Sequence, residues 1–474
     1  MTKKNKLSKI MASTLLATAM LFSYAITAFA ALGSGDVKEG TETIPPQVTI
    51  TKMLKMPVHT TTPNASFTFK VEKVGWSPDF VTGEADAGLT GSLASMPEHP
   101  HDIVISFTNS DKSPATEPAG GVPTVGNGIK TVVKQSSDYL FSGTNAVSFT
   151  KPGLYVYNVT EATGLPQLHS GSDYEDWMYY SSASYRLEVW VLEKADGTGF
   201  YIKAIGTKIT ANIDEFWVEH EGEEGDKIDP TKDDGSTANV EHSEMVFTNI
   251  YLKNDGGDNP DPKKSSDTVF TLKKLVGQPG ADKTKYFDFS ILTSVPEIGV
   301  DANHRTVRDY VAYVMEDLGS GPVVVTTTAN SASVTANKAI IFEPGTAQTV
   351  SLKHGQWLAF VNLEVGTGIA VTEIGKADYT PSYNLTLHNT VVTSNTPGEE
   401  GKNLGYPTSS NPASGKYFIG EIANNSTFTN NYKTIAITGI GVDDLPYYVM
   451  IGIAVVGLAV YLVTKTRRDA AKQN

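Results

Sequence analysis

At positions 246–251 the chain reads VFTNIY, and at 427–432 it reads TFTNNY. Both are short β-type runs that share an asparagine at the same place in the phrase, Asn249 and Asn430. An amide inside an apolar strand costs free energy unless it is hydrogen-bonded, so two matching phrases ask for two matching sets of partners.

Strand-like runs precede the first phrase at 48–54 (VTITKML), 66–74 (SFTFKVEKV), 101–107 (HDIVISF), 154–161 (LYVYNVTE), 184–194 (SYRLEVWVLEK) and 199–206 (GFYIKAIG). Glycine, proline, asparagine and aspartate cluster between them, and no apolar period of 3.6 residues is sustained, which predicts an all-β sandwich over 46–252. The plan repeats over 268–433, with runs at 269–277 (VFTLKKLVG), 286–292 (YFDFSIL), 323–329 (VVVTTTA), 339–345 (AIIFEPG), 357–366 (WLAFVNLEVG) and 368–374 (GIAVTEI). Residues 253–267, beginning KNDGGDNPDPKKSS, read as a linker too polar and proline-rich to pack. An acidic insert at 219–235, EHEGEEGDKIDPTKDDG, reads as a surface loop.

The ends of the chain set its compartment. Residues 1–30 carry four lysines, an apolar stretch and Ala28-Phe29-Ala30, the pattern of a cleaved secretory signal. Residues 445–463, LPYYVMIGIAVVGLAVYLV, hold no charge and precede Lys465, Arg467, Arg468 and Lys472, as expected of a membrane-spanning helix with a cytoplasmic basic tail. Of the formal charge of −14, the signal contributes +4 and residues 439–474 contribute +1, so residues 31–438 carry −19. That argues against nucleic acid as a partner. The 474 residues contain no cysteine, so an exported chain that needs a covalent staple must make it from other groups.

Each half shares an order: an opening strand with lysine, a middle strand ending in VTE, and a closing FTNxY. Strand alternation puts Lys52 with Val48, Ile50 and Leu54, Glu161 with Tyr155, Tyr157 and Val159, and Asn249 with Phe247 and Tyr251. All three polar groups of the first half thereby face inward. In the second half Glu373 aligns with Ile369 and Val371, and Asn430 with Phe428 and Tyr432. Its lysine is ambiguous, since Lys273 and Lys274 stand on opposite faces, both apolar; alternation slightly favours Lys274. Burial favours the neutral forms of an amine and an acid by roughly 3 to 5 pKa units, and a neutral amine held against a carboxamide is a nucleophile beside an electrophile. A buried ion pair with a hydrogen-bonded asparagine is the plainer reading of either half alone; the ordered repeat favours reaction, with loss of ammonia and a Lys–Asn isopeptide bond as product.

VTITKML with SFTFKVE, LYVYNVTE and VFTNIYL resemble the isopeptide-forming domains of Gram-positive pilins, and the likeness is to the two-domain streptococcal T-antigen type of major pilin. The resemblance implies tandem immunoglobulin-like sandwiches of the CnaB kind, with Lys52 bonded to Asn249 and Glu161 as catalyst. In the second domain it implies Asn430, Glu373 and Lys273, because the family's reactive lysine stands four residues before a glycine, here Gly277. It further implies a sorting signal over 434–474, with sortase cleavage between Thr438 and Gly439, although Ile435, Ala436 and Ile437 depart from the usual leucine-proline-x-threonine form. Lys227 and Lys232 are the candidates for the inter-subunit lysine, since His242 occupies the position nearest the family's own.

The implied function is a structural subunit of a sortase-assembled pilus on the cell wall. Its partners are sortase, further copies of itself, peptidoglycan and host surface ligands; it uses no cofactor, and its only catalysis is one intramolecular turnover per bond. The alternative is a monomeric wall-anchored adhesin that binds a host protein or glycan. The histidine-containing HPHD at 99–102 and the linker aspartates Asp255, Asp258 and Asp261 are weak metal candidates, and no metal site is expected.

Overall fold

Alternation along the strand at 65–77 decides how the first half folds: Phe67, Phe69 and Val71 are buried, while Ser66, Lys70 and Glu72 between them are exposed. One face so marked needs a second sheet to cover it. The computed structural model describes residues 37–82, 86–112, 129–162, 176–211, 224–231, 243–256, 260–296, 298, 307–325, 334–407, 417–433 and 445–471. The first half holds β1 (Val37–Glu39), β2 (Thr51–Pro57), β3 (Ala65–Ser77), β4 (Ile103–Phe107), β5 (Ile129–Gln135) and β6 (Gly153–Glu161). It continues with β7 (Trp177–Tyr179), β8 (Ser184–Glu193), β9 (Phe200–Ala211), β10 (Lys227–Ile228) and β11 (Val246–Leu252). One sheet runs β1-β9-β8-β6-β3-β4, with β10 also on β9, and the other runs β5-β2-β11-β7. Between them lies a core in which Phe247 of β11 meets Phe69 of β3 at 4.8 Å and Tyr185 of β8 at 5.1 Å.

The second half repeats the build with β12 (Phe270–Gly277), β13 (Phe287–Ser294), β14 (Tyr310–Asp317), β15 (Pro322–Val324), β16 (Ile340–Phe342) and β17 (Gln348–Leu352). Then follow β18 (Trp357–Phe360), β19 (Gly368–Glu373), β20 (Tyr379–Leu387), β21 (Thr390–Pro397), β22 (Leu404–Tyr406) and β23 (Asn424–Tyr432). Its sheets run β15-β14-β18-β12-β23-β20-β21, with β16 on β14, and β17-β13-β19-β22. The expected all-β architecture of two sandwiches is therefore what the chain adopts.

The closing strand of each half lies parallel to the strand that carries its lysine, β11 to β2 and β23 to β12, and the register is the same in both. Lys52 pairs with Phe247, two residues before Asn249, and Lys274 pairs with Phe428, two residues before Asn430. Residues two apart on a strand share a face, so each of these lysines lies on the same side of its sheet as its asparagine.

Two sequence expectations need correction. The acidic insert is not wholly loop, because its described part includes β10, in which Lys227 pairs with Lys208 and Ile228 with Thr207. The start of the linker packs: Asn254 bridges to Glu364, and a Cβ on Gly256 would fall 1.7 Å from the Val361 carbonyl oxygen. Backbone pairing, to which side-chain polarity is indifferent, explains both. At the C-terminus, α1 (Leu445–Ala471) includes a stretch, Pro446–Asp469, long and apolar enough to cross a membrane. The signal at 1–30 and the Thr438-Gly439 junction lie outside the described residues.

Candidate functional site

In the first half, β2 and β11 of one sheet and β6 of the other deliver three polar side chains to the middle of the core. The Lys52 ammonium donates to Glu161 Oε2 at 2.7 Å. The Asn249 amide nitrogen donates to the other carboxylate oxygen, Oε1, also at 2.7 Å. The Asn249 carbonyl oxygen accepts from the backbone N–H of Ser181 at 2.7 Å. Lys52 and Asn249 have no exposed surface, and Glu161 is 6% exposed. The lysine head sits 4.6 Å from the centroid of the Phe67 ring and 6.0 Å from that of Phe69. Burial pulls the Lys52 ammonium from its ordinary 10.5 down to about 8, against the raising effect of the Glu161 charge.

The second half rebuilds this cluster from β12, β19 and β23. Lys274 donates to both oxygens of Glu373, at 2.9 and 3.0 Å, and the Asn430 amide donates to Glu373 Oε1 at 2.5 Å. The ring of Phe287 lies 4.3 Å from the ammonium and that of Phe289 5.8 Å. Burial lowers Lys274 to about 8, and it raises Glu373 against the opposing pull of Lys274 and the Asn430 hydrogen bond. One difference separates the two clusters. Asn430 Oδ1 is buried without a hydrogen-bond partner among the described residues.

The placement of Lys273 corrects the lysine implied by resemblance. Lys273 pairs with Thr427, which is out of phase with Asn430, and its side chain is exposed. Lys274 is fully buried. The face that a strand residue occupies follows from the parity of its position, and counting back from a glycine cannot override it. Of the other candidates, Lys227 lies in β10, and Lys232 lies outside the described residues. No group of three or more potential metal ligands occurs among the described residues.

Sequence reasoning missed two participants. Each half carries a Phe-x-Phe phrase, at 67–69 and 287–289, whose rings flank the lysine; this repeat was visible beside VTE and FTN. The Ser181 N–H was not, because a main-chain donor leaves no mark in residue type.

A family model for a domain of unknown function (DUF7601) matches residues 268–432. Over 408 residues, 85% of this chain and 85% of the relative, the chain is 25% identical to a pilin of Streptococcus pyogenes serotype M1. Among solved structures, the major pilin of Streptococcus pyogenes is 18% identical, with 82% of this chain and 99% of that chain covered and a TM-score of 0.27. A T3.2 major pilin of the same species is 18% identical, with 84% and 100% covered and a TM-score of 0.28. The resemblance to streptococcal pilins read from the sequence is thus matched by a relative that spans most of the chain.

Proposed function

We propose that the chain is a structural subunit of a surface pilus, stiffened by one Lys–Asn isopeptide bond in each half and assembled by sortase on the cell wall. The observation that carries this reading is the repeated cluster: lysine, glutamate and asparagine buried together twice, with the lysine and asparagine on paired parallel strands at the same register. A structural ion pair needs no asparagine in such a position. The pilin relative supports the pilus part of the reading.

The chemistry balances within each cluster. The Lys52 ammonium passes a proton to the Glu161 carboxylate, leaving a neutral amine and a neutral acid. The amine lone pair attacks the Asn249 carboxamide carbon, and the carbonyl π pair moves onto Oδ1. Glu161 then protonates the amide nitrogen it already faces, and takes back a proton from the new secondary nitrogen. The C–N bond to the old nitrogen breaks, ammonia departs, and the carbonyl reforms. Reactants held at contact replace a bimolecular encounter with an effective molarity of about 10⁵ M or more. Lys274, Glu373 and Asn430 follow the same sequence.

Intact-mass measurement on the chain made without its signal residues 1–30 in a host without sortase is expected to find it lighter than its sequence by two ammonias, with crosslinked peptides joining 52 to 249 and 274 to 430. An unchanged mass would refute the internal bonds. Polymer formation is tested separately, by immunoblotting cell-wall extracts of the native host. A ladder of high-mass species is expected, and a single band would favour the monomeric adhesin.

A further inference from the structure

Two reaction centres with the same three side chains need not work at the same rate. In the first, the carbonyl oxygen that must take up negative charge points at a main-chain donor, Ser181 N–H, at 2.7 Å. In the second, the corresponding oxygen is buried with no donor among the described residues. The cause lies in the strand that borders each asparagine. Beside β11 runs the short β7, with Tyr179 opposite Ile250, and the chain leaves the sheet after Tyr179. The segment then turns so that the Ser181 hydroxyl accepts from the Ala183 N–H at 3.2 Å, while its own N–H points at Asn249. Beside β23 runs the long β20, which stays in the ladder past this point, with Pro381 opposite Asn430 and Ser382 opposite Thr429, so among the described residues no turn aims a main-chain N–H at the asparagine.

We infer that the Ser181 backbone N–H is an oxyanion donor for the first isopeptide bond, and that the Lys52–Asn249 bond consequently forms before the Lys274–Asn430 bond. This rests on the isopeptide reading above and assigns the first half a catalytic group with no counterpart among the described residues of the second. When the Lys52 amine attacks, the pair displaced from the carbonyl gathers on Oδ1, and a donor already in place in a dry site stabilises that charge without reorganisation. When the carbonyl reforms and ammonia leaves, the hydrogen bond relaxes to the neutral amide. Ser181 itself gains and loses no proton.

The test begins with full-length chain purified unfolded, before either bond has formed, and refolded in detergent. Aliquots are quenched, digested and assayed by mass for the two crosslinked peptides. The 52–249 crosslink is expected on the order of 100-fold ahead of the 274–430 crosslink. Ser181→Pro, which deletes the N–H, is expected to slow the first bond by a similar factor and leave the second unchanged as an internal clock. Ser181→Ala, which keeps the N–H, is expected to leave both unchanged. Because proline can also disturb the turn, a backbone ester at position 181, exchanging N–H for oxygen while keeping the side chain, repeats the comparison. If both bonds form at equal rates, or the ester leaves the first rate intact, the inference fails while the isopeptide reading stands. If neither bond forms in the unaltered chain, both fail together.

Discussion

At the Lys52 ammonium two effects oppose each other. The Glu161 carboxylate, 2.7 Å away, favours the cation, and removal from water favours the neutral amine. Desolvation wins, and the group titrates at about 8, as Lys274 also does. The proton concerned belongs to the lysine–glutamate pair as a unit. With one shared proton the pair would supply both the nucleophile and the acid of the proposed reaction. Above about pH 8 that proton is lost, so an amine remains but nothing protonates the leaving nitrogen; at low pH a second proton binds and the nucleophile disappears. Ammonia release on refolding is therefore expected to follow a bell in pH whose alkaline limb falls near 8. A rate that kept rising through pH 8 to 10 would show that the glutamate does not shuttle protons. The same pairing separates the two adjacent lysines: Lys274→Ala should abolish the second crosslink, whereas Lys273→Ala, at an exposed position, should leave it intact by peptide mapping.

A strand is the unit on which these clusters depend, since parity along β2, β6 and β11 sends Lys52, Glu161 and Asn249 to one core. That much was legible in the sequence, because a period of two is a local property. The second lysine was not settled by it: Phe270, Leu272 and Val276 mark one face of β12 while Val269, Thr271 and Leu275 mark the other, and only the pairing of Lys274 with Phe428 decides. Nor were β10, the packed Asn254 to Gly256, or the Ser181 donor legible, since each depends on where a distant backbone lies. The parallel pairing of β2 with β11 and of β12 with β23 has a mechanical meaning. Tension along a half passes through those strands, and a covalent bond between them would carry the load around the hydrogen-bonded ladder. The Lys52–Asn249 bond would close a loop of 198 residues, which a chain-entropy treatment values at about 5 kcal/mol. Asn249→Ala, which keeps the lysine and glutamate, is expected to lower stability by about that amount in guanidinium unfolding; an unchanged midpoint would mean that no crosslink closes.

Across the whole molecule, the two halves meet at a polar seam. His59 stacks on His388 with ring centroids 4.0 Å apart. Glu421 accepts from the Thr61 N–H at 2.5 Å and from the Thr61 hydroxyl, and pairs with Lys253 at 3.0 Å. The Asp255 N–H donates to the Leu363 carbonyl at 3.3 Å, and Ile298 of the second half packs on Ile250 and Leu252 of the first. Two groups of this seam have displaced pKa values. Burial, aided by His388 and Lys130, takes His59 from 6.5 down to about 4. Burial takes Asp255 from 3.8 up to about 7, opposed by Lys253 and reinforced by Glu421 and Asp176. Their linkage to closure has opposite signs. Between pH 4 and 6.5 the open form binds more protons at His59, so closure weakens as pH falls; between 3.8 and 7 the closed form binds more at Asp255, so closure weakens as pH rises. The two slopes oppose each other over most of that range, so closure is expected to vary less with pH than it would with either group alone. Asp255→Asn is therefore expected to expose the histidine term. The halves should loosen as pH drops from 6.5 toward 4, read as faster amide exchange at Thr61 and as a larger radius of gyration in solution scattering. His59→Gln should do the reverse, loosening as pH rises toward 7. If both variants kept a pH-independent shape, the seam would owe its closure to apolar contacts such as Ile298 on Leu252, with its ionisable groups as bystanders.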